Sequence, residues 1–406
     1  MSQSTSDQKP RWLKIVQAIG TVLAAIALAI AGILAGALGI DVSGYTPGTD
    51  ATPQPLPTEV VHIPDRDVTE FTLPQGFGAQ KGFWTVLFTA PTGDSRTSTY
   101  VGGIETQLVD AINAAQRTID IAAYEFNQVD VTQALLAAHQ RGVQIRVVTD
   151  DDAGVDASTG TLRQLVEARI PVVIDGRRAL MHDKFIIIDS LTVWTGSWNY
   201  TVNGTYRNNN NALIIRSQAA VQNYQAEFDE MFTSRLFGPS SPSRTPRPDF
   251  TQDGVSILTY FAPEDDVLDA MVDTVNRAQH SIKFMTFSFT VDPIGQAMIA
   301  RAGAGVNVEG IFETTGSETQ FSELRMLFCA GLDARQDGNP YRLHHKVFII
   351  DDEVVVTGSF NISQNAVTSN DENLVIITDR DLAAEYLREF DRRWAESRLP
   401  QGLTCN

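Results

Sequence analysis

Polar and apolar positions follow the same order in two stretches of the chain. In Met181–Asp189 (MHDKFIIID) a histidine and a lysine two residues apart precede an apolar run and an aspartate, and Leu343–Asp351 (LHHKVFIID) repeats this spacing. Each apolar run is continuous, which predicts a strand buried on both faces. Because side chains alternate along a strand, the histidine and lysine of each copy share one face. These residues are His182 and Lys184 in the first copy and His344 and Lys346 in the second.

The repeat extends far beyond these two strands. Leu108–Phe126 matches Met271–Phe289 at an offset of 163 residues, and the segment that begins at Ala134 matches the one that begins at Ala297. Each half shows the periodicities of strand, helix, strand, helix, strand, hairpin and helix. We therefore predict an α/β fold with two similar α/β sandwich lobes, each containing a mostly parallel or mixed sheet.

The boundaries of the two lobes follow from a proline-rich segment. Residues 238–249 are predicted to link a first lobe, residues 61–237, to a second lobe, residues 250–406. Two domain-sized copies in one chain indicate an internal duplication, folded as a pseudo-twofold dimer within one monomer. We expect the lobes to share a single active site at their interface.

The sequence after each motif predicts a two-residue hairpin turn, at Ser190–Leu191 and at Asp352–Glu353. This register places a serine and an asparagine opposite the lysine and the histidine of each motif. Asp189 and Asp351 lie too far along the strand to touch the same ligand as the lysine, and we expect them to support the turn. The opposing pairs are Ser197 with Asn199 and Ser359 with Asn361.

Two halves that meet in this way offer two imidazoles, two ammonium groups and two amides. Hydrogen-bond donors of this kind suit an anion with several oxygens, such as a phosphate. Paired imidazoles suit a reaction in which one histidine attacks phosphorus, while the other protonates the leaving oxygen and then activates water. A metal site at the adjacent His344 and His345 is disfavoured, because neighbouring strand residues point to opposite faces.

The pattern HxKxxxxD followed by GSxN, present twice between roughly Phe83 and Trp394, resembles the phospholipase D superfamily. The resemblance implies a phosphoric diester hydrolase that works through a phosphohistidine and needs no metal or other cofactor. It implies catalytic roles for His182, His344, Lys184 and Lys346, phosphate binding by Asn199, Asn361, Ser197 and Ser359, and motif support from Asp189, Asp351 and Glu372.

The two halves differ at the position where this family often has an acidic residue that orients a catalytic histidine. Glu372 occupies that position in the second half, and Asn210 occupies it in the first. A carboxylate holds the imidazole and stabilises its positive form better than an amide does, which favours His344 as the nucleophile and His182 as the general acid. The family more often uses the histidine of the first half, and the sequence leaves both assignments open.

Other residues near the motifs have simpler interpretations. The four asparagines at 208–211 are predicted to form a polar loop beside the site, and His345 has no counterpart in the first half and is interpreted as incidental. The loop Thr92–Gly102 is an apparent insertion that could form a wall of the substrate pocket. Core packing is the default interpretation for the flanking aromatic residues, which are Trp194, Trp198, Tyr200 and Phe360.

The N-terminal region is predicted to be a membrane segment. Ile15–Ile40 contains no charged residue among 26, and three basic residues precede it. A helix of this length spans a bilayer, and the positive-inside rule keeps residues 1–14 in the cytoplasm and places the catalytic part outside. A cleaved signal, which would release the protein, is the alternative. Residues 41–60 form a proline-rich tether, and whether Cys329 and Cys405 pair is left open.

Charge bears on the substrate. The formal net charge of −18 disfavours broad binding of nucleic acid, although a local basic groove is compatible with it. A phospholipase D held at a membrane is the leading hypothesis, and a metal-independent endonuclease is the alternative because the compact halves resemble small bacterial nucleases of the family. A phosphatidyltransferase of the cardiolipin synthase kind ranks third. A non-catalytic binding protein is disfavoured because neither motif is eroded.

Overall fold

The computed structural model describes residues 60–63 and 67–405. The predicted cytoplasmic residues 1–14, the apolar segment 15–40 and nearly all of the tether 41–60 lie outside these ranges. No helix within the described ranges is long and apolar enough to cross a membrane. Val60, the last residue of the predicted tether, pairs with Phe71.

The first lobe contains eleven strands and five α-helices among the described residues. Its strands are β1 Val60–Ile63, β2 Val68–Leu73, β3 Gly76–Lys81, β4 Trp84–Thr89, β5 Thr118–Ala123, β6 Gln144–Thr149, β7 Val172–Ile174, β8 Lys184–Ile188, β9 Thr192–Gly196, β10 Asn208–Asn209 and β11 Asn211–Ile215. Its helices are α1 Glu105–Ala114, α2 Val129–Gln140, α3 Leu162–Glu167, α4 Val202–Tyr206 and α5 Gln218–Asp229.

The second lobe repeats most of this order, but two strands rather than four precede its first helix among the described residues. Its strands are β12 Asp249–Gln252, β13 Val255–Ala262, β14 Ser281–Thr286, β15 Asn307–Phe312, β16 Asp333–Gln336, β17 Arg342–Leu343, β18 Lys346–Ile350, β19 Val354–Gly358 and β20 Glu372–Thr378. Its helices are α6 Val267–Asn276, α7 Asp292–Gly303, α8 Glu323–Cys329, α9 Gln364–Thr368 and α10 Arg380–Glu396. Cys329 and Cys405 form a disulfide, with their Cα atoms 5.3 Å apart.

The sheets confirm the duplication. The first has the order β1-β2-β3-β4-β11-β9-β8-β5-β6-β7, and the second has the order β12-β13-β20-β19-β18-β14-β15-β16. Seven neighbouring strands, from β4 to β7 and from β13 to β16, correspond one to one. Both sheets are mixed, because β5, β6 and β7 run parallel, as do β14, β15 and β16, while the motif strands are antiparallel to their neighbours.

The motif strands are buried on both faces, as their continuous apolar runs predict. Phe185 and Ile187 pack in a core shared by the lobes, whereas Ile186 and Ile188 pack in the core of the first lobe. The second motif strand alternates in the same way. Helices α5 and α10 each contact strands of both sheets and so lie between them. The two motifs are therefore held rigidly at the interface of the lobes.

The hairpin register differs from the predicted one by one residue. Ile188 pairs with Thr192 and Ile350 pairs with Val354, so each turn is centred one residue earlier than expected. The central residues adopt positive φ, at 55° for Asp189 and Ser190. Asp tolerates this left-handed conformation, and its side chain here has a second use that fixes the turn.

The side chain of Asp189 also caps the start of the neighbouring strand β5. The carboxylate of Asp189 accepts hydrogen bonds from the backbone N–H groups of Gln116, Arg117 and Thr118 at 2.7–3.0 Å. Asp351 binds the corresponding three N–H groups of the second lobe, those of residues 279–281. These bonds agree with the structural interpretation of both aspartates.

A β-bulge compensates for the shifted register. The N–H groups of Ser197 and Trp198 both bond the carbonyl of Asn211, which inserts one extra residue before Asn199. The preceding Gly196 has φ of 132°, and a Cβ there would lie 2.6 Å from the Asn211 carbonyl oxygen. The glycine of the GSxN pattern is therefore required by the approach of two strands. The second lobe has the same bulge after Gly358.

Candidate active site

The lobes meet where the two motif histidines begin their strands. The backbone N–H of His182 bonds the carbonyl of Asp371, and that of His344 bonds the carbonyl of Asn209. Each histidine is thus tied to the segment after the hairpin of the opposite lobe. Of the asparagines at 208–211, three belong to β10 and β11, and Asn210 joins these two strands. Asn209, Asn210 and Asn211 are fully buried, so the predicted polar loop was wrong.

Both histidines face one cavity of about 640 Å³, together with both motif asparagines. Its wall contains His182, His344, Asn199 and Asn361 at the centre, with Tyr124, Glu125, Phe287, Arg207, Tyr341 and Arg342 among the surrounding side chains. The Oδ1 atoms of Asn199 and Asn361 are buried without a protein partner among the described residues. The predicted shared site at the lobe interface is present in the geometry.

His182 is held by a carboxylate from the other lobe. Its Nδ1 lies 2.7 Å from Oε2 of Glu372, which also accepts a hydrogen bond of 2.8 Å from the Ser359 hydroxyl. The side chain of Glu372 is fully buried. This corrects the sequence interpretation, which took Glu372 as the partner of His344 in its own half. The start of β20 passes across the interface, so the carboxylate meets the opposite imidazole.

His344 is held in the same position by an amide. Its Nδ1 lies 2.9 Å from Oδ1 of Asn210 and 3.0 Å from the carbonyl of Ser197. The amide of Asn210 donates in turn to the carbonyl of Gly204, which fixes which end faces the imidazole. Two acceptors at Nδ1 require the proton to sit there, so Nε2 is the reactive nitrogen.

The two motif serines do not reach the cavity. Ser359 donates to Glu372 and Ser197 donates to Oδ1 of Asn210 at 2.9 Å, and both serines are fully buried. The bulge directs the two hydroxyls away from the cavity, towards Glu372 and Asn210, which bind the imidazoles. Their predicted role in phosphate binding is therefore replaced by a positioning role.

The lysines lie behind the histidines. Nζ of Lys184 donates to the carbonyl of His182 at 2.6 Å, and Nζ of Lys346 donates to the carbonyl of His344 at 2.9 Å. Each ammonium also lies over an aromatic ring, Tyr124 in one lobe and Phe287 in the other, at 5.2 and 4.8 Å. The lysines are buried and supply positive potential to the cavity from its floor.

Burial sets the protonation of this site. It lowers the pKa of both histidines, and the two lysine charges lower it further. It also lowers the pKa of Lys184 to about 8 and raises the pKa of Glu372 to about 8. The low polarity therefore disfavours a charge on either His182 or Glu372.

Several residues of the site were missed by the sequence interpretation. The rings of Tyr124 and Phe287 pack against His182 and His344, with centroids 4.9 and 4.7 Å apart. They occupy matching places in the aligned halves, YEF and FSF, so the repeat itself contained this signal. Glu125, which accepts a 3.0 Å bond from the Asn199 amide, and Arg207 have no such counterpart.

The remaining aromatic residues and His345 are structural. Trp194, Trp198, Tyr200 and Phe360 are buried in the lobe cores, which confirms core packing. His345 is fully buried between Asn211 of the other lobe and Glu389, at 3.1 Å from each, so it joins the lobes rather than being incidental.

Carboxylates that could hold a metal ion lie outside the histidine pair. Among the described residues they form two clusters, Asp150 with Asp151 and Asp175, and Glu227 with Glu230 and Glu264. Neither cluster contains a residue of the repeated motifs. The expectation of chemistry without a metal stays a prediction.

Two imidazoles and two amides converge on one cavity above two buried lysines, an arrangement that suits a phosphate ester. The family described as "Cardiolipin synthase, PLD-like domain" matches residues 108–232 and 271–394, one match in each lobe and together more than half of the chain. The chain therefore belongs to the phospholipase D superfamily of phosphodiesterases.

Individual relatives are similar over shorter lengths. The mitochondrial cardiolipin hydrolase of Xenopus tropicalis is 36% identical over 118 residues, which are 29% of this chain and 56% of that protein. The phospholipase D of Rickettsia felis is 33% identical over 141 residues, which are 35% of this chain and 70% of that one. The phosphatidylserine synthase of Haemophilus influenzae shares the fold, with a TM-score of 0.59 at 14% identity over 74% of this chain and 86% of that chain.

Proposed function

We propose that the protein hydrolyses the headgroup ester of a phospholipid, through a covalent phosphohistidine on His182. The observation that carries this proposal is the pair of differently held imidazoles on one cavity wall, His182 on a carboxylate and His344 on an amide. Both keep a proton on Nδ1 and present Nε2 to a bound phosphate.

In the first step Nε2 of His182 attacks phosphorus. The charge of the bound phosphate opposes the effect of burial on His344 and favours protonation of this histidine at both nitrogens. The bond from phosphorus to the leaving oxygen breaks, and His344 gives its Nε2 proton to that oxygen. Bond formation leaves a positive charge on the ring of His182. The carboxylate of Glu372, at 2.7 Å, stabilises this charge better than the amide of Asn210 could.

In the second step water replaces the histidine. Nε2 of His344 takes a proton from the water as its oxygen bonds to phosphorus, and the bond from phosphorus to His182 breaks. A phosphatidyl group transferred in this way leaves as phosphatidic acid. His344 ends the cycle protonated, ready for the next leaving group.

The lysines and motif asparagines balance the charge of the phosphate. An anion in the cavity opposes the effect of burial on Lys184 and Lys346 and favours their charged forms. The amides of Asn199 and Asn361 face the same cavity and donate to the equatorial oxygens. Loss of one such donor is expected to lower kcat by about 100–1000-fold.

Three observations support a lipid over a nucleic acid as the substrate. The net charge is −18, similar proteins carry the names cardiolipin hydrolase and phospholipase D, and an apolar segment precedes the catalytic lobes. We place the catalytic part outside the cytoplasm, attached by that segment or secreted after its cleavage. The disulfide between Cys329 and Cys405 supports an oxidising compartment.

The test uses the full-length chain in phospholipid vesicles with EDTA present. Phosphatidylcholine, phosphatidylglycerol and cardiolipin are supplied together with single-stranded DNA, and phosphatidic acid and DNA fragments are quantified. We expect phosphatidic acid from at least one lipid and none with His182→Asn. DNA fragments without phosphatidic acid would overturn the proposal in favour of a nuclease, and activity that requires added metal would overturn the metal-free mechanism.

A further inference from the structure

The cavity is not symmetric, although the lobes that build it are. Around the pseudo-twofold axis, Arg207 corresponds to Ser369 and Arg342 corresponds to Leu180. Arg207, Arg342 and Leu180 all line the cavity. One side therefore carries two arginines, and the equivalent positions on the other side carry none, while the carboxylate of Glu125 also lines the cavity.

The basic side belongs to His344. Arg342 lies two residues before this histidine, and β10, which follows Arg207 directly, pairs with β17 through Asn208 and Arg342. Under the proposed function His344 protonates the leaving group. The leaving group is therefore the part of the substrate that meets the two arginines.

Arg207 is held in place without a carboxylate partner among the described residues. Its guanidinium donates to the Tyr100 hydroxyl at 2.6 Å, the Asn203 side chain at 3.0 Å and the Ser95 carbonyl at 2.9 Å, all of them neutral acceptors. Arg342, in contrast, lies 3.5 Å from Glu313. In an acidic protein, a fixed cation whose charge no carboxylate offsets is suited to an anionic ligand.

Aromatic rings fix the position of this cation. The guanidinium of Arg207 lies 5.7 Å from the ring of Tyr100 and 5.2 Å from that of Tyr341. Tyr100 stacks on Tyr206 with centroids 4.7 Å apart. Tyr100 belongs to the loop Thr92–Gly102, which the second half lacks, so the inserted loop builds the asymmetry. Because the Arg207 side chain is already ordered, binding of a ligand to it carries a smaller entropic cost.

From this geometry we infer that Arg207, supported by Arg342, forms a subsite for a second phosphate, carried by the leaving group. The inference rests on the proposed function and narrows its substrate to a phospholipid whose headgroup alcohol is itself phosphorylated, as in a diphosphatidylglycerol. The side beside Leu180, which lacks the two arginines, receives the portion of the substrate that stays on phosphorus.

Binding of small probes tests the subsite without turnover. Glycerol 1,3-bisphosphate and glycerol 1-phosphate are titrated into the full-length protein by calorimetry. We expect the bisphosphate to bind about ten-fold more tightly or better, and the ratio to fall to about two-fold or less in Arg207→Gln. Arg380→Gln removes an exposed arginine at the start of α10, which does not line the cavity, and should leave the ratio unchanged.

Two further measurements make the result decisive. Arg207→Lys keeps the charge and should retain part of the ratio, and thermal melting verifies that both Arg207 variants are folded. Equal binding of the two probes by the wild type, or an unchanged ratio in a folded Arg207→Gln, would overturn the subsite. If the ratio holds while no lipid is hydrolysed, the proposed function fails and the subsite stands.

A parallel titration with dinucleotides tests whether the second phosphate belongs to a nucleic acid instead of a lipid. The dinucleotides TpT and pTpT differ by one terminal phosphate, as the glycerol probes do. If pTpT binds more tightly than TpT and Arg207→Gln removes this difference, while the two glycerol phosphates bind equally, the assignment to a lipid is overturned. Discrimination confined to the glycerol phosphates supports it.

Discussion

The two lobes present the same histidine in the same hairpin and give it different partners. In each lobe Nδ1 is engaged by a residue of the opposite lobe, Glu372 at the start of β20 for His182 and Asn210 just before β11 for His344. In each lobe a motif serine donates to that residue. Under the proposed mechanism this difference gives a duplicated fold two chemical roles, because one oxygen-bearing side chain can carry a charge and its counterpart cannot.

The largest expected effect is the loss of either histidine. His182→Asn and His344→Asn should each lower turnover of a natural phospholipid by at least about 1000-fold, because nucleophile and general acid are both needed for a poor leaving group. Phosphatidic acid release and circular dichroism measure activity and folding. Near wild-type turnover in either folded variant would contradict a shared site.

The partners of the histidines should matter unequally. Glu372→Gln is expected to lower kcat about 100-fold or more, since an amide stabilises the charged ring of His182 less well. Asn210→Ala removes a neutral hydrogen bond and should lower kcat about ten-fold. Equal losses in the two variants would show that the carboxylate has no special role.

The buried carboxylate also predicts a dependence of stability on pH. Burial raises the pKa of Glu372 from 4.5 to about 8. Between these values the unfolded chain releases the proton while the folded chain keeps it, so the free energy of unfolding falls as pH rises. Urea unfolding measures the fall in the free energy of unfolding between pH 5 and pH 8. This fall should be about 3 kcal/mol smaller in Glu372→Gln than in the wild type. Asn210→Ala should keep the wild-type slope, and parallel slopes in all three proteins would refute this origin.

The smallest effects belong to the serines. Ser359→Ala should lower kcat about ten-fold, because it removes a donor to a carboxylate, and Ser197→Ala about three-fold. KM should stay unchanged in both, since neither serine lines the cavity. A raised KM with constant kcat would restore the role in phosphate binding that the sequence suggested.

Much of this arrangement is predictable from the sequence because the repeat is long and the motif strands are continuously apolar. Strand periodicity predicts the burial of Phe185–Ile188 and the hairpin that each motif strand forms with the next strand. The duplication predicts that His182 and His344 lie at one cavity. Tyr124 and Phe287 occupy matching positions in the two halves, so the same comparison could also have identified them.

Other features depend on three-dimensional crossing and local backbone conformation. The turn moved by one residue because Asp189 adopts positive φ and caps three N–H groups far away in sequence. Glu372 was assigned to the wrong histidine because proximity in sequence favours the same lobe, whereas β20 begins at the interface. Arg207 corresponds to Ser369 in the second half, so the repeat does not single out a basic residue at this position.

The most direct test of the account is a burst experiment with a phosphatidyl ester of 4-nitrophenol, a leaving group that needs no proton. His344→Asn should release about one equivalent of nitrophenol per enzyme and then stop, with the phosphatidyl group on His182 as seen by mass spectrometry. His182→Asn should give no burst. A burst in His182→Asn with the label on His344 would contradict the account and assign the nucleophile to the lobe whose histidine has only an amide.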